Sequence, residues 1–247
     1  DALEILRQIN DDRNDLGHSY FSLYAFLLFA KATGNLTAQS KVVLYGAGPK
    51  ALSLSLLKDA INYYDKAYKL LSAKGFPKAF EETVVNYSSA LDLLGNHEKS
   101  EVINKAYLEH YPDSIRANAA LASSLFKQHK YPQATKYARV AFEGEPTSST
   151  AFTNLLLSLF LSEEYEEVLR LVSDRIVTGF KDKREEGIAR TMAVFSYREL
   201  GLEKEAEEQI KVLEQDKELN TDAIIVRASI ANEYEQKMAI YQKGLAE

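Results

Sequence analysis

Apolar and small residues recur along most of this chain at the spacing that is typical of amphipathic α-helices. The pattern also repeats as a unit. Pro112 and Pro146 stand 146 − 112 = 34 residues apart, and so do Tyr131 and Tyr165, since 165 − 131 = 34. A period of this size indicates a supersecondary unit that buries its apolar face only by stacking on neighbouring units.

The same apolar positions can be followed through four copies of this unit. Asn86 and Asn154 lie 154 − 86 = 68 residues apart, which is twice the period, and each precedes an apolar face. The fourth copy is shifted by a short insertion. The equivalent positions are Tyr87, Ser88 and Leu91, then Leu121, Ala122 and Leu125, then Leu155, Leu156 and Leu159, and finally Ala193, Val194 and Tyr197.

Turn signals divide the chain into thirteen predicted helices. Gly95 with Asn96 breaks one helical pattern, and after Pro112 either Asp113 or Ser114 is expected to cap the next helix. With only 11 Gly and 5 Pro to interrupt the pattern, the sequence favours an all-α fold. The predicted helices span 1–10, 15–31, 36–47, 50–73, 77–94, 97–110, 114–128, 131–143, 148–161, 164–176, 183–200, 203–216 and 220–246, the last with a possible break near Asn232.

Several copies in register resemble the tetratricopeptide repeat (TPR), a family whose unit is two antiparallel helices with a loose code of small and large residues. The resemblance covers about two thirds of the chain. It implies an all-α fold, a right-handed superhelical solenoid of antiparallel helix pairs. The stretches that carry it are residues 152–172, 118–146, 84–112 and 191–216, with a weaker match to the second helix of a unit at 57–71.

The repeats divide the chain into three predicted regions. Residues 1–76 form a helical region of degenerate repeats, and residues 77–216 hold the tandem TPR units. Residues 217–247 form a C-terminal capping or partial-repeat helix, because the end of a solenoid needs a polar cap. The sequence starts at Asp1 and ends on a helical pattern, so we expect it to belong to a longer chain or a complex.

Bulk composition limits the classes of partner and the compartments that we expect. The formal net charge is −6, and the 30 basic residues are dispersed instead of forming a stripe, which disfavours nucleic-acid binding. The absence of cysteine excludes disulfides and thiolate metal sites. Such a chain suits the cytosol or the periplasm, and we prefer the cytosol slightly. The apolar run at 20–30 is too short to span a bilayer, so we expect a buried helix and no direct membrane insertion.

One segment imitates a cofactor site. Residues 42–57 run from a strand-like stretch into Gly46, Gly48 and Ala51, as in the turn that binds a dinucleotide pyrophosphate at a helix N-terminus. That motif needs a second strand and an acidic residue after the helix, but the sequence that follows is helical. We interpret the segment as a corner between helices, and a nicotinamide or flavin enzyme is the least favoured of three hypotheses.

No constellation of catalytic or metal-binding residues stands out. The four histidines, His18, His97, His110 and His129, lack the spacing of metal ligands. The glutamates between 163 and 167 are expected to open a helix, where carboxylates favour the positive end of the dipole. No nucleophile elbow, Walker loop or kinase signature is present. The sequence therefore predicts a protein that is not an enzyme, with no catalytic, metal or cofactor residues.

A stack of helix pairs leaves a concave groove that is lined by the first helix of each pair, and we expect function there. The middle of the groove is predicted to be apolar and aromatic, with basic residues that steer the acidic flanks of a partner. The alternative is that neighbouring helices cover these aromatics, in which case replacing Phe160 by alanine lowers stability without changing binding. The seven predicted groove residues are Arg116, Phe126, Lys127, Leu157, Phe160, Phe195 and Arg198.

The groove does not match TPR proteins that capture the tails of chaperones. Those members carry lysine and asparagine at positions that here hold Val85 and Ser89, or Ala119 and Ser123. The leading hypothesis is a non-catalytic protein–protein interaction scaffold whose groove binds a peptide or a partner helix. The alternative is a substrate-guiding or regulatory module of a larger secretion, polysaccharide or signalling machine; 15 Tyr and 11 Phe suit sugar stacking, but zero Trp weakens it.

Overall fold

A computed structural model describes residues 3–4, 17–33 and 53–231. Within these ranges the chain is all-α, as predicted, and forms eleven α-helices, one short 3-10 helix at Lys78–Phe80 and no strand. The helices are α1 (His18–Thr33), α2 (Leu54–Ser72), α3 (Glu81–Leu93), α4 (His97–Leu108), α5 (Ile115–Lys127), α6 (Tyr131–Gly144), α7 (Ser149–Leu161), α8 (Tyr165–Thr178), α9 (Lys183–Glu199), α10 (Glu203–Gln215) and α11 (Asn220–Ile230).

The ends of the helices follow local capping chemistry. Ser114, one of the two candidates from the sequence, caps α5, because its Oγ accepts a hydrogen bond from the Ala117 amide at 3.1 Å. α11 ends at Ile230, and Ala231 is extended with φ −67° and ψ 133°, one residue before the break offered at Asn232. Most of the predicted helix 1–10, the helix 36–47 and the glycine turn at 46–51 lie outside the described residues.

The same backbone turn joins the two helices of successive pairs. The second residue after the first helix is left-handed at Gly95 (φ 78°), His129 (φ 59°) and Glu163 (φ 63°), and both 129 − 95 and 163 − 129 equal 34. Glycine adopts this conformation without steric cost, whereas histidine and glutamate do not. The next amide in each turn donates to a carbonyl five residues back, which is the Schellman closure of a helix: Asn96 to Leu91, Lys130 to Leu125 and Glu164 to Leu159.

The fourth copy keeps this turn but contains an additional helical turn. Its left-handed residue is Gly201 (φ 73°), which lies 201 − 163 = 38 residues after Glu163, four more than the period. α9 has 17 residues and α7 has 13, and 17 − 13 = 4, so the insertion lengthens α9. Four residues make about one turn of an α-helix. The insertion therefore extends one helix and leaves the repeat otherwise in register.

The chain divides into two compact units, residues 1–145 and residues 146–247. In the first unit α1–α2, α3–α4 and α5–α6 form three helix pairs, and α3 packs against both α1 and α5. In the second unit α7–α8 and α9–α10 form two pairs, and α9 packs against both α7 and α11. Links of three residues join the helices of the pairs α3–α4, α5–α6, α7–α8 and α9–α10, and helices joined by such short links run antiparallel. Each unit by itself is thus a stack of helix pairs.

The repeated apolar positions form the cores of these stacks. Eleven of the twelve residues followed through the sequence are at most 2% exposed, and Tyr197 is partly buried. Burial of one large apolar side chain contributes about 1.5–3 kcal/mol. The predicted buried helix at 20–30 lies in α1, where Tyr24 and Leu28 are buried but Leu23 is 50% exposed. No helix in the described ranges is both long and apolar enough to cross a bilayer.

Candidate functional site

Three of the seven predicted groove residues lie on α5, in the first unit. Arg116 is exposed at the start of the helix. Phe126 is partly buried against the core, and its ring centroid is 5.5 Å from that of Tyr131. The Lys127 Nζ atom lies 3.7 Å from an Asp92 carboxylate oxygen, and the Asp92 side chain is only 5% exposed. Lys127 therefore balances the charge of a buried carboxylate of its own unit.

The other four predicted groove residues lie on α7 and α9, in the second unit. Phe160 and Phe195, both partly buried, bring their ring centroids to 6.2 Å at an interplanar angle of 49°. Leu157 is 9% exposed and belongs to the buried residues. Arg198 Nη1 contacts a Glu203 carboxylate oxygen at 3.0 Å. The structure thus joins the two phenylalanines into one aromatic surface, while Leu157 is buried and Arg198 already has an acidic partner.

A buried polar network crosses α3, α4 and α5 in the first unit. The Ser100 hydroxyl lies 2.7 Å from that of Ser88 and 2.6 Å from that of Ser124. The Ser124 hydroxyl donates to Asp92 Oδ2 at 2.9 Å, and His97 Nδ1 lies 3.0 Å from Asp92 Oδ1. Because buried polar groups are costly when unpaired, this network fixes the spacing of the three helices. The short serine side chains allow the helices to approach closely.

Two carboxylates in the first unit are strongly held in the charged form. Burial alone raises the pKa of Glu101, but hydrogen bonds from Lys105, Lys130 and Gln128 outweigh it and lower that pKa to about 2. Burial likewise opposes the shift at Asp65, where hydrogen bonds chiefly from Lys69 and Lys99 lower the pKa to about 2. Both sites tie neighbouring helices together.

The second unit contains a buried ion pair between α8 and α9. Arg175 Nε lies 2.7 Å from Glu185 Oε1, and the two side chains are 12% and 0% exposed. The guanidinium carbon also lies 4.6 Å from the centroid of the Phe152 ring, which adds a cation–π contact. Glu185 belongs to the first turn of α9. The two charges therefore compensate each other inside the second unit by close approach, although no hydrogen bond of good geometry joins Arg175 Nε to Glu185 Oε1.

The first unit also has a cleft between α1 and α3, which we call the α1–α3 cleft. Its volume is about 330 Å³, within the range of small ligand sites. Its walls are mainly apolar, and Tyr64 and Asn86, which are 0% and 2% exposed, lie in its lining. The lining consists of Ser19, Ser22, Leu23 and Phe26 from α1, Tyr64 from α2, Ala79 and Phe80 from the 3-10 helix, and Glu82, Thr83 and Asn86 from α3.

Comparison with solved structures gives the fold a name. A tetratricopeptide repeat protein from Parabacteroides merdae ATCC 43184 superimposes with a TM-score of 0.61 at 16% identity, covering 99% of this chain and 85% of that one. The "MamA RS-1 ArsTM double mutant" superimposes with a TM-score of 0.53 at 16% identity, covering 72% of this chain and 88% of that one. The fold is TPR-like. No protein-family model and no curated protein matches the chain, so this likeness is structural.

In the terms of a TPR-like fold, α1, α3 and α5 are the first helices of pairs in the first unit, and α7 and α9 are the first helices in the second. The predicted groove residues therefore all lie on first helices, as the sequence register required. The handedness of the superhelix and the three-part division at residues 76 and 216 stay predictions.

The histidines of the described ranges serve structural contacts. His97 approaches Asp92, and His129 Nδ1 lies 2.6 Å from the Tyr131 hydroxyl oxygen. The His18 ring packs edge-on against Phe80, with centroids 4.4 Å apart. In the part of the chain that the structure describes, no group of three His, Asp or Glu side chains is placed to hold a metal ion.

The sequence did not predict the α1–α3 cleft. The matches to the repeat begin at residue 84, apart from the weaker one at 57–71, and the apolar run at 20–30 predicts a buried helix. One signal was available, because a helix as apolar as α1 has more apolar surface than one neighbouring helix can cover. The exposed Leu23 is the residue at which that surplus is found.

Proposed function

We propose that the protein is a non-catalytic interaction scaffold that binds an apolar or amphipathic segment of a partner protein on the second unit. The observation that carries the proposal is the pair of Phe160 and Phe195. The two rings come from the first helices of successive pairs, lie 6.2 Å apart and keep part of their surface exposed. Solenoids of helix pairs present such first-helix surfaces to extended peptides and to partner helices.

The surroundings of the two rings favour apolar recognition. Leu161, next to Phe160 on α7, is 37% exposed and extends the apolar surface, while Leu157 lies buried one turn earlier and supports it. Aromatic side chains held against such a support are frequent binding hot spots. Arg198 is already paired with Glu203, so it contributes less to steering acidic partners than an unpaired arginine would. We therefore expect binding to depend weakly on salt.

The experiment is a selection from a phage-displayed library of random peptides, followed by affinity measurement with the selected peptides. We expect enrichment of peptides with large apolar residues. Phe160→Ala should weaken their binding by about 2 kcal/mol, the cost of a typical hot spot. Val177→Ala is the matched control, because Val177 is an apolar residue on α8 with 84% of its surface exposed.

Thermal and urea unfolding of the same variants separates binding from packing. A loss of about 3–5 kcal/mol in unfolding free energy for Phe160→Ala, with unchanged peptide affinity, would assign the ring to the core and overturn the proposal. The alternative function, a substrate-guiding or regulatory module of a larger machine, stays a prediction. So does membership of a longer chain or complex.

A further inference from the structure

The α1–α3 cleft combines an apolar wall with polar groups that lack partners. Among the described residues none forms a hydrogen bond with the Asn86 Oδ1 atom or the Ser22 hydroxyl. Tyr64 and Asn86 are almost fully buried, and both line the cleft. Most buried polar groups in proteins are paired, so two unpaired ones along a single cleft need an explanation. A ligand whose own groups form these hydrogen bonds is such an explanation.

The cleft is large enough to take a side chain. One water molecule occupies roughly 30 Å³ in the liquid, about a tenth of the cleft volume. Leu23, Phe26 and Phe80 provide apolar contacts along the cleft, and Leu23 is half exposed. A ligand that fits must therefore carry an apolar stem next to its polar group.

The charge of the lining residues indicates which polar group a ligand of this cleft should carry. Glu82 is the one carboxylate among the lining residues; it is exposed, no ion pair to it occurs within the described residues, and no lysine or arginine is in the lining. Burial, followed by the nearby Glu82, raises the pKa of Tyr64, and a hydrogen bond from the Asn86 side chain opposes this shift only in part. Burial and then Lys74 lower the pKa of His18, which packs on Phe80 near this end of the cleft.

We propose that the α1–α3 cleft binds a basic side chain of a partner peptide, a lysine or an arginine. Its aliphatic stem packs between Leu23, Phe26 and Phe80, and its cationic head group donates hydrogen bonds to Glu82 and Asn86. Charge-assisted hydrogen bonds of this kind are about twice as strong as neutral ones. This site lies in the first unit and does not depend on the aromatic pair of the second unit.

The proposal is tested by NMR titration of the full chain with the capped peptide acetyl-Ala-Lys-Ala-amide. We expect saturable shifts of the Leu23, Glu82 and Asn86 amides. The peptide with norleucine in place of lysine keeps the stem without the charge and should bind about tenfold more weakly. A peptide with glutamate at that position, and butylamine alone, should give no saturable shift at these amides.

Glu82→Gln should weaken binding of the lysine peptide about tenfold, and Glu98→Gln is the matched control. Glu98 is also an exposed glutamate in the first turn of a helix, but it lies on α4, outside the cleft. Absence of localised shifts, equal binding of the norleucine peptide, or tighter binding of the glutamate peptide would overturn the proposal. Equal binding of butylamine would show that the cleft takes small amines and not a peptide. Phe160→Ala should leave this titration unchanged, so the two binding sites are tested separately.

Discussion

The two units stack helix pairs in the same way but bury different kinds of polar groups. The first unit buries aromatic rings, such as Tyr64, Tyr87 and Tyr107, together with a chain of hydroxyl groups centred on Ser100. The second unit has an aliphatic cluster around Val194, Ile210 and Leu213, and it buries the Arg175–Glu185 ion pair. One repeat fold therefore tolerates two kinds of polar interior.

The difference determines how each unit responds to the loss of one polar group. The first unit's network loses hydrogen bonds when one serine is removed, but Asp92, the buried carboxylate at its end, keeps its contacts with His97 and Lys127. An ion pair that loses one partner leaves the other charge in a low-dielectric interior, which is far more costly. We expect single substitutions in the second unit's ion pair to destabilise more than those in the first unit's network.

The largest expected effect is that of Glu185→Gln. The substitution keeps the shape of the side chain but leaves the Arg175 guanidinium without a counter-charge, so unfolding free energy should fall by about 3–5 kcal/mol. Urea unfolding followed by circular dichroism measures the loss. Hydrogen exchange should show that α8 and α9 lose protection first.

Two variants control for this result. Glu203→Gln removes the carboxylate of the exposed Arg198 pair, in which Glu203 is 62% exposed, and should cost at most about 1 kcal/mol. The double variant Arg175→Met with Glu185→Leu removes both charges and should recover most of the loss. A cost below about 1 kcal/mol for Glu185→Gln would show that the pair is solvated in solution.

Ser100→Ala should have the next largest effect. It removes the hydrogen bonds of Ser100 to the Ser88 and Ser124 hydroxyls, at about 1 kcal/mol each, while Asn104 and Asp92 remain as partners of those two hydroxyls. Ser72→Ala, at an exposed serine of α2, is the control and should stay within about 0.5 kcal/mol of wild type. Equal stability of the two variants in urea unfolding would contradict a structural role for the network.

The smallest expected effect is on stability at acidic pH. The folded-state pKa of Glu101 is about 2, below its ordinary value of 4.5, so its stabilisation is complete above pH 4.5 and is lost as the pH falls towards 2. Glu101→Gln removes this titrating group and should reduce the loss of stability over this range. The reduction should be only about 1 kcal/mol, because water screens the half-exposed lysine partners of Glu101. Thermal unfolding as a function of pH measures the slope. Glu143→Gln, at an exposed glutamate of α6, should leave the slope as in wild type.

Much of the fold was predictable because its determinants are local. Gly95 and Asn96 end one helix and begin the next, and the 34-residue period then places the same turn at residues 129 and 163. The left-handed conformation of His129 and Glu163 was not predictable from residue type, since neither is glycine. It follows from the position in the pair, where the closure between helices dictates the backbone and the side chain adapts.

The candidate sites were less predictable because they depend on contacts between pairs. Helical spacing placed Phe160 and Phe195 on first helices, but their approach to 6.2 Å requires the packing of α7 against α9. The burial of Leu157 and the pairing of Lys127 with Asp92 depend on neighbouring helices in the same way. The α1–α3 cleft unites residues from three helices and the 3-10 helix, and no spacing within the sequence relates them.

The Arg175–Glu185 pair makes the copies of this repeat non-interchangeable. One period earlier the equivalent positions hold Ala141 and Ala151, since 175 − 34 = 141 and 185 − 34 = 151. Transplanting α8 without α9 would therefore leave the Arg175 guanidinium inside the protein without its counter-charge. Any exchange of helices between copies has to carry both members of the pair.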